Sequence, residues 1–141
     1  CSAMERDEGM KLLIAVACVL LAAGPGAAEA SDWVRVGSYK GTTSYNDKTS
    51  IQKKGSVINS LWLIDFQTPI KLGAGDMPSV TTRKEFDCKK WEVRVLNETG
   101  YTRHMAEGKQ IYAITEAKPW QVVIPGTAND MQFQHVCGRN G

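Results

Sequence analysis

Two histidines, His104 and His135, are the only side chains in this 141-residue chain that could serve as a base near neutral pH. His104 falls in the polar stretch Tyr101 to Lys109, which reads as an exposed loop. His135 falls two positions before Cys137, in a segment that reads as helix. Neither stands at a motif spacing from a nucleophile, although a triad assembled by folding leaves no such trace. Glu85 and Asp87 lie two residues apart on one strand, about 7 Å by the strand rise. That overlaps the separation of a glycosidase carboxylate pair. Arg83, Lys89 and Lys90 flank them, so the pattern reads as a solvated face of mixed charge. Gly73-Ala74-Gly75 follows a proline and leads into no helix, unlike a phosphate-binding loop. Asn97-Glu98-Thr99 matches a glycosylation sequon, which marks a surface loop. The expectation is no enzyme, no catalytic residue, no cofactor and no metal.

The basic residues suggest docking rather than chemistry. Lys53-Lys54, Arg83-Lys84 and Lys89-Lys90, with Arg94, could gather on the folded surface. Strand alternation would split each dipeptide between two faces, which favours scattered solvated charges. The functional reading of the same residues is a surface for an acidic partner, such as a glycosaminoglycan or an acidic protein segment. The whole chain carries a formal charge of +2 with a pI near 8.4. That is too mild, and too well mixed with Asp and Glu, to imply nucleic acid.

The N-terminal region reads as an export signal. Met10-Lys11 precedes the apolar run Leu12 to Ala23, the breaker Gly24-Pro25-Gly26, and Ala28-Glu29-Ala30. This is a signal peptide over residues 10–30 with cleavage after Ala30. Its twelve apolar residues are too few for a stable membrane span, which needs about 20. Residues 1–9 contain Glu5, Asp7 and Glu8, the wrong charge before such a signal, and read as an upstream extension or mis-start. Ala15-Val16-Ala17-Cys18 loosely resembles a lipobox, so lipid anchoring is the alternative, though Val19-Leu20-Leu21 continue the apolar run. The product is expected to be exported, either periplasmic or at the cell surface or secreted.

Residues 31–141 then form the domain. Two of the 17 basic and four of the 15 acidic residues precede it, leaving a charge of +4. Of the four cysteines, Cys88 and Cys137 remain. An even pair in a small exported domain reads as a disulfide. It would close a loop of about 50 residues, worth roughly 4 kcal/mol by chain entropy. The pair is too widely spaced for a CxxC redox motif and has no histidine neighbours at zinc-site spacing.

Strand signals dominate the domain. Trp33-Val34-Arg35-Val36, Thr42 to Tyr45, Val57 to Phe66, Val80 to Cys88, Trp91 to Val95, Gln110 to Thr115 and Trp120 to Ile124 all read as strands. Val80, Thr82, Lys84, Phe86 and Cys88 share one face of theirs. Gly73 to Pro78 reads as a flexible loop, and Asn97 to Gly100 as a turn. Short connections without helices imply an antiparallel meander. Thr127 with Asp130 resembles a capping box, opening a short helix over Met131 to Val136 that stops at Cys137-Gly138. Trp33, Trp62, Trp91 and Trp120 are expected to place at least two rings in the core.

The order Trp33, Ser44-Tyr45-Asn46-Asp47, Ser50-Ile51, Trp62-Leu63-Ile64-Asp65 resembles the bacterial surface-adhesin protein E domain. Glu85-Phe86-Asp87-Cys88, Trp120 to Thr127 with its Pro125-Gly126, and the terminal Cys137 extend the resemblance over nearly all of Trp33 to Cys137. The resemblance implies a mainly β (α+β) fold. Its antiparallel sheet has about six strands, with a C-terminal α-helix tied to it by a Cys88–Cys137 bridge. It also implies a non-enzymatic module that binds a protein partner, of the extracellular-matrix or serum class. Vitronectin, laminin and plasminogen are examples. The alternative is a periplasmic inhibitor or envelope accessory protein. In the adhesin reading, contact falls on the exposed sheet face, an edge strand and the loops Gly73–Pro78 and Tyr101–Lys109.

Overall fold

The structure, a computed structural model, describes residues 31–138. The expected signal peptide, the upstream extension and the lipidation alternative at Cys18 lie outside the described residues. Eight strands form a single sheet. They are β1 (Trp33–Tyr39), β2 (Thr42–Asp47), β3 (Gln52–Lys54), β4 (Val57–Leu72), β5 (Gly75–Asp87), β6 (Glu92–Tyr101), β7 (Gln110–Ile114) and β8 (Gln121–Val122). Six follow one another as an antiparallel meander in the order β1-β2-β4-β5-β6-β7, while β3 pairs with β4 and β8 with β6. The expected mainly antiparallel sheet with one C-terminal helix is the observed fold.

The helix α1 (Ala128–Cys137) covers one face of this sheet. Thr127 caps it by accepting a hydrogen bond from the Asp130 N–H at 3.3 Å. The Asp130 carboxylate in turn accepts from the Gly126 N–H at 2.9 Å. At the other end Gly138 turns at φ 79° and donates to the Gln134 carbonyl at 3.0 Å. The Cys88–Cys137 disulfide, with Cα atoms 5.5 Å apart, joins this last turn to the end of β5. Trp62, Phe86, Val93, Val123 and Phe133 form the buried core between helix and sheet. Phe86 meets Trp62 and Phe133 edge to face at 6.0 and 6.1 Å, a favoured aromatic geometry. Where α1 crosses β1, a Cβ at Gly37 would overlap the Met131 sulfur, so a larger residue there would require the Met131 side chain to move.

Several expectations change. Gly73–Pro78 is not a flexible loop. Only Gly73 and Ala74 turn, and Gly75 already begins β5 at φ 136°. Pro78 is buried and sits in the register break between Asp65 and Ile70, where its missing N–H is not called for. Beyond that break, Ile70–Leu72 and Gly75–Met77 pair only with each other as a two-stranded arm. Asn97 to Gly100 is likewise not a turn. β6 continues through it because β5 pairs on one side and β7 on the other. Trp120–Ile124 yields only the two-residue β8, hemmed in by Pro119 and Pro125. Among the tryptophans only Trp62 is fully buried. Trp91 leaves its expected strand for a left-handed turn (φ 56°) and is half-buried, as are Trp33 and Trp120.

Candidate functional site

The segment after β6 folds back over the sheet face opposite the helix and is held there by two neighbouring side chains. Asp65 on β4 and Ser79 on β5 are register partners. Asp65 Oδ1 lies 2.8 Å from His104 Nδ1, and its Oδ2 accepts from the Met105 N–H at 2.8 Å. The Ser79 hydroxyl donates to the Arg103 carbonyl at 2.6 Å and accepts from the Ala106 N–H at 2.9 Å. Thr102 and Lys109 close the base of the loop through two further bonds, 3.0 and 2.9 Å long. Met105 and Ala106 are both forced to φ 59°. A left-handed conformation costs about 1–2 kcal/mol per non-glycine residue. The clamp holds the loop in that shape.

This fold-back sets the loop beside the β4–β5 arm. A cleft of about 440 Å³ opens between them, lined by Pro69, Asp76, Pro78, Arg103, His104 and Glu107 among others. The two segments expected to carry binding therefore line one cleft. Its charges are mixed: Arg103 against Asp76 and Glu107. Asp76 also reaches Lys71 at 3.4 Å, with both side chains exposed, a contact of little energy.

The His104–Asp65 pair has the geometry of the orienting half of a catalytic triad. Among the described residues, no side-chain hydroxyl or thiol is hydrogen-bonded to His104. The Ser79 proton is given to the Arg103 carbonyl, not to His104. His135 sits on the exposed side of α1, its ring 6.0 Å from that of Trp62. Burial pushes its pKa below the ordinary value, which keeps it neutral at physiological pH. Among the described residues, no group of three or more His, Cys, Asp or Glu could hold a metal ion. No helix among them is long and apolar enough to cross a membrane.

Glu85 and Asp87, read from sequence as a solvated face of mixed charge, have two structural roles. Glu85 accepts from Arg94 at 2.6 and 2.8 Å. Asp87 is not solvated but buried. It accepts from the Ser56 hydroxyl and from the Lys89 and Lys90 N–H groups at 3.0–3.1 Å. Burial pushes its carboxyl up, but the Lys90 N–H, the Ser56 hydroxyl and the Lys89 N–H outweigh this and hold its pKa low. The basic dipeptides do not follow one rule either. Lys89-Lys90 lies in a turn, so alternation does not divide it, and both residues are exposed with Lys53 and Lys54. Arg83 donates to Asn59 at 2.8 Å on the outer face. Lys84 turns inward and is buried beneath α1.

The sequence profile of surface-adhesin protein E matches residues 33–138, from the first residue of β1 to the cap of α1. The chain belongs to the surface-adhesin protein E family. No curated protein sequence matches it. Among solved structures, crystal form II of Haemophilus influenzae protein E superimposes with a TM-score of 0.59 at 15% identity. That match covers 70% of this chain and 82% of that one. Protein E from non-typeable Haemophilus influenzae gives 0.58 at 15% identity, over 81% and 80%. A further Haemophilus influenzae protein E structure gives 0.59 at 16%, over 77% and 86%. At these identities the likeness is one of fold.

Within this surface-adhesin protein E fold, Asp65 and Ser79, central to the observed geometry, were not singled out from sequence as site residues, and Lys84 was read only as part of an exposed basic surface. Asp65 carried a signal, as the charged end of the apolar run Val57 to Phe66. Lys84 carried another, as the one charge on the buried face of an alternating strand.

Proposed function

We propose that this surface-adhesin protein E family member is an exported, non-enzymatic binding module for a protein of the extracellular-matrix or serum class. Residues 10–30 would direct export and residues 31–141 would form the module. The carrying observation is the loop clamp. Asp65 and Ser79 fix residues 103–106 in a strained shape beside the β4–β5 arm, and a preset surface loses less entropy on binding. Arg103 and the surrounding lysines supply steering that weakens with salt, since the Debye length is about 8 Å at physiological ionic strength.

The test is binding of the purified protein to immobilised vitronectin, laminin and plasminogen at low and moderate salt. Paired with it is Arg103→Glu, which reverses a charge of the cleft. Saturable binding that falls severalfold in the variant supports the reading. Absence of matrix binding at low salt, where steering is strongest, defeats it. Protease shaving of intact cells then separates surface display from retention in the periplasm.

A further inference from the structure

A second, smaller cleft lies on the helix side of the sheet, between β6, the segment before β8, and the first turn of α1. Its volume is about 60 Å³. Lys84, Lys118, Asn129 and Gln121 supply its polar lining, Val95 and Pro119 part of its apolar lining, and no carboxylate lines it. Lys84 is 9% exposed. Its ammonium donates to Asn129 Oδ1 at 2.9 Å and to Gln132 Oε1 at 2.8 Å. Gln132 is fixed in turn by donating to the Ser44 hydroxyl on β2 at 3.0 Å.

Both partners of Lys84 are neutral amide oxygens. An ammonium has three N–H donors, so one is left without an acceptor among the described residues. The Asn129 amide nitrogen is unused in the same way, because its oxygen is the atom that meets Lys84. Burial lowers the Lys84 pKa to about 8, and the charge of Glu98 pulls the other way. Glu98 is itself raised by burial, with Lys84 and Lys118 pulling it down. No ion pair joins Glu98 to either lysine among the described residues. The remaining cation of the lining, Arg94, is committed to Glu85 and lies 4.7 Å over the Trp120 ring. On α1, Asp130 is turned to Gly126 and Gln134. Lys118 is exposed, with its backbone N–H held by the Val95 carbonyl at 2.8 Å.

We infer that this cleft is a carboxylate subsite that receives a glutamate side chain of a protein partner. The Lys84 ammonium forms its floor, the Asn129 amide is a second donor, and Lys118 is the steering charge at its mouth. The lining offers lysine and amide donors for a carboxylate and, in Val95 and Pro119, apolar contact for its adjoining methylenes. An arriving carboxylate supplies the direct ion-pair contact that Glu98, acting on Lys84 only at a distance, does not make, in an environment where charge pairing is strong. Placement beside the first turn of α1 favours an anion further. Because the carboxylate binds the protonated lysine, affinity must fall as pH rises through about 8. The inference rests on the binding-module reading for the identity of its occupant.

The experiment is a ¹⁵N NMR titration of the intact protein with N-acetyl-glutamate amide at pH 6.5 and 9.5. The neutral N-acetyl-glutamine amide serves as control. Expected are shifts confined to the neighbourhood of Lys84, Lys118 and Asn129, no response to the control, and affinity roughly tenfold or more weaker at the higher pH. Lys84→Gln should abolish the response. Lys118→Ala, on the surface, should weaken it severalfold without disturbing the fold, and serves where the first variant does not fold. Equal affinity at both pH values, an equal response to the glutamine control, or no loss in Lys118→Ala overturns the inference. Probe binding without any matrix-protein binding supports the subsite and places the failure with the adhesin reading. Matrix binding that both variants retain in full overturns the subsite alone.

Discussion

Trp91 stacks on Phe133 with ring centroids 4.4 Å apart and planes inclined by 28°. The contact depends on the left-handed backbone of Trp91, which swings the indole from the β5–β6 turn onto the helix. Removing the ring should destabilise the domain by about 2–4 kcal/mol, as lost burial and lost stacking combine. Trp91→Gly removes the same ring but suits the left-handed backbone, so it should lose about 1 kcal/mol less than Trp91→Ala. Urea unfolding of the two variants measures the difference, and an equal loss would refute the backbone contribution.

The loop clamp predicts a local effect without global unfolding. Asp65→Ala removes the acceptors of His104 and Met105. It should cost about 1–3 kcal/mol and open residues 103–106 to proteolysis while far-UV circular dichroism stays unchanged. Ala106→Gly relieves the φ of 59° and should stabilise by about 1 kcal/mol. Limited proteolysis followed by mass spectrometry locates the cuts. Protection of this segment in Asp65→Ala would count against the clamp.

Lys84 gives the domain an alkaline signature. Its folded pKa of about 8 lies below the ordinary lysine value of 10.5, so between those limits the unfolded chain binds more protons than the folded one. Stability from this group therefore rises with pH across that window, by at most about 3 kcal/mol. Below pH 8 the full cost of burying the charge is present. The check is the difference in unfolding free energy between wild type and Lys84→Met at pH 7.5 and 10. Wild type should gain relative to the variant, and a flat difference would show that Lys84 is not titrating in the core.

Cys88 and Cys137 close a loop with a sequence separation of 49. The double variant Cys88→Ser, Cys137→Ser should lose about 2–4 kcal/mol. It should still dock α1, because Trp91 and Phe133 remain stacked and Lys84 still holds Gln132. Near-UV circular dichroism of the reduced protein tests this, with retained aromatic bands as the expected result.

Much of the fold was legible because two periods are strict. Val80, Thr82, Lys84 and Phe86 alternate, and all four are buried. Thr127 and Gly138 mark both ends of α1 as their side-chain and backbone chemistry requires. The Gly, Pro and Asn signals at 73–78 and 97–100 misled, because a strand paired with a neighbour can carry such residues where the register breaks or a close approach needs them. Gly100 is one such approach, where a Cβ would overlap the Met77 sulfur. The cleft was legible only as two separate segments. Asp65, Ser79 and His104 come from three parts of the chain; sheet register pairs the first two, and the fold-back after β6 brings in the third. Lys84 shows a different failure. Alternation placed it on the inner face, yet its charge suggested solvent.

The approach of Met131 to Gly37 carries a consequence for how the chain is made. A meander lets each strand find its neighbour as it emerges from the ribosome, because successive partners are close in sequence. The helix that seals the inner face is the last of the described elements, and it returns to the first two strands: Met131 meets Gly37 on β1, and Gln132 meets Ser44 on β2 across 88 positions. Until then Trp62 and Phe86 line an uncovered surface, the state in which a nascent chain is most prone to stick to others. A holding chaperone that recognises this open sheet should bind a released chain truncated before residue 128 and let go of one that includes α1 through residue 138.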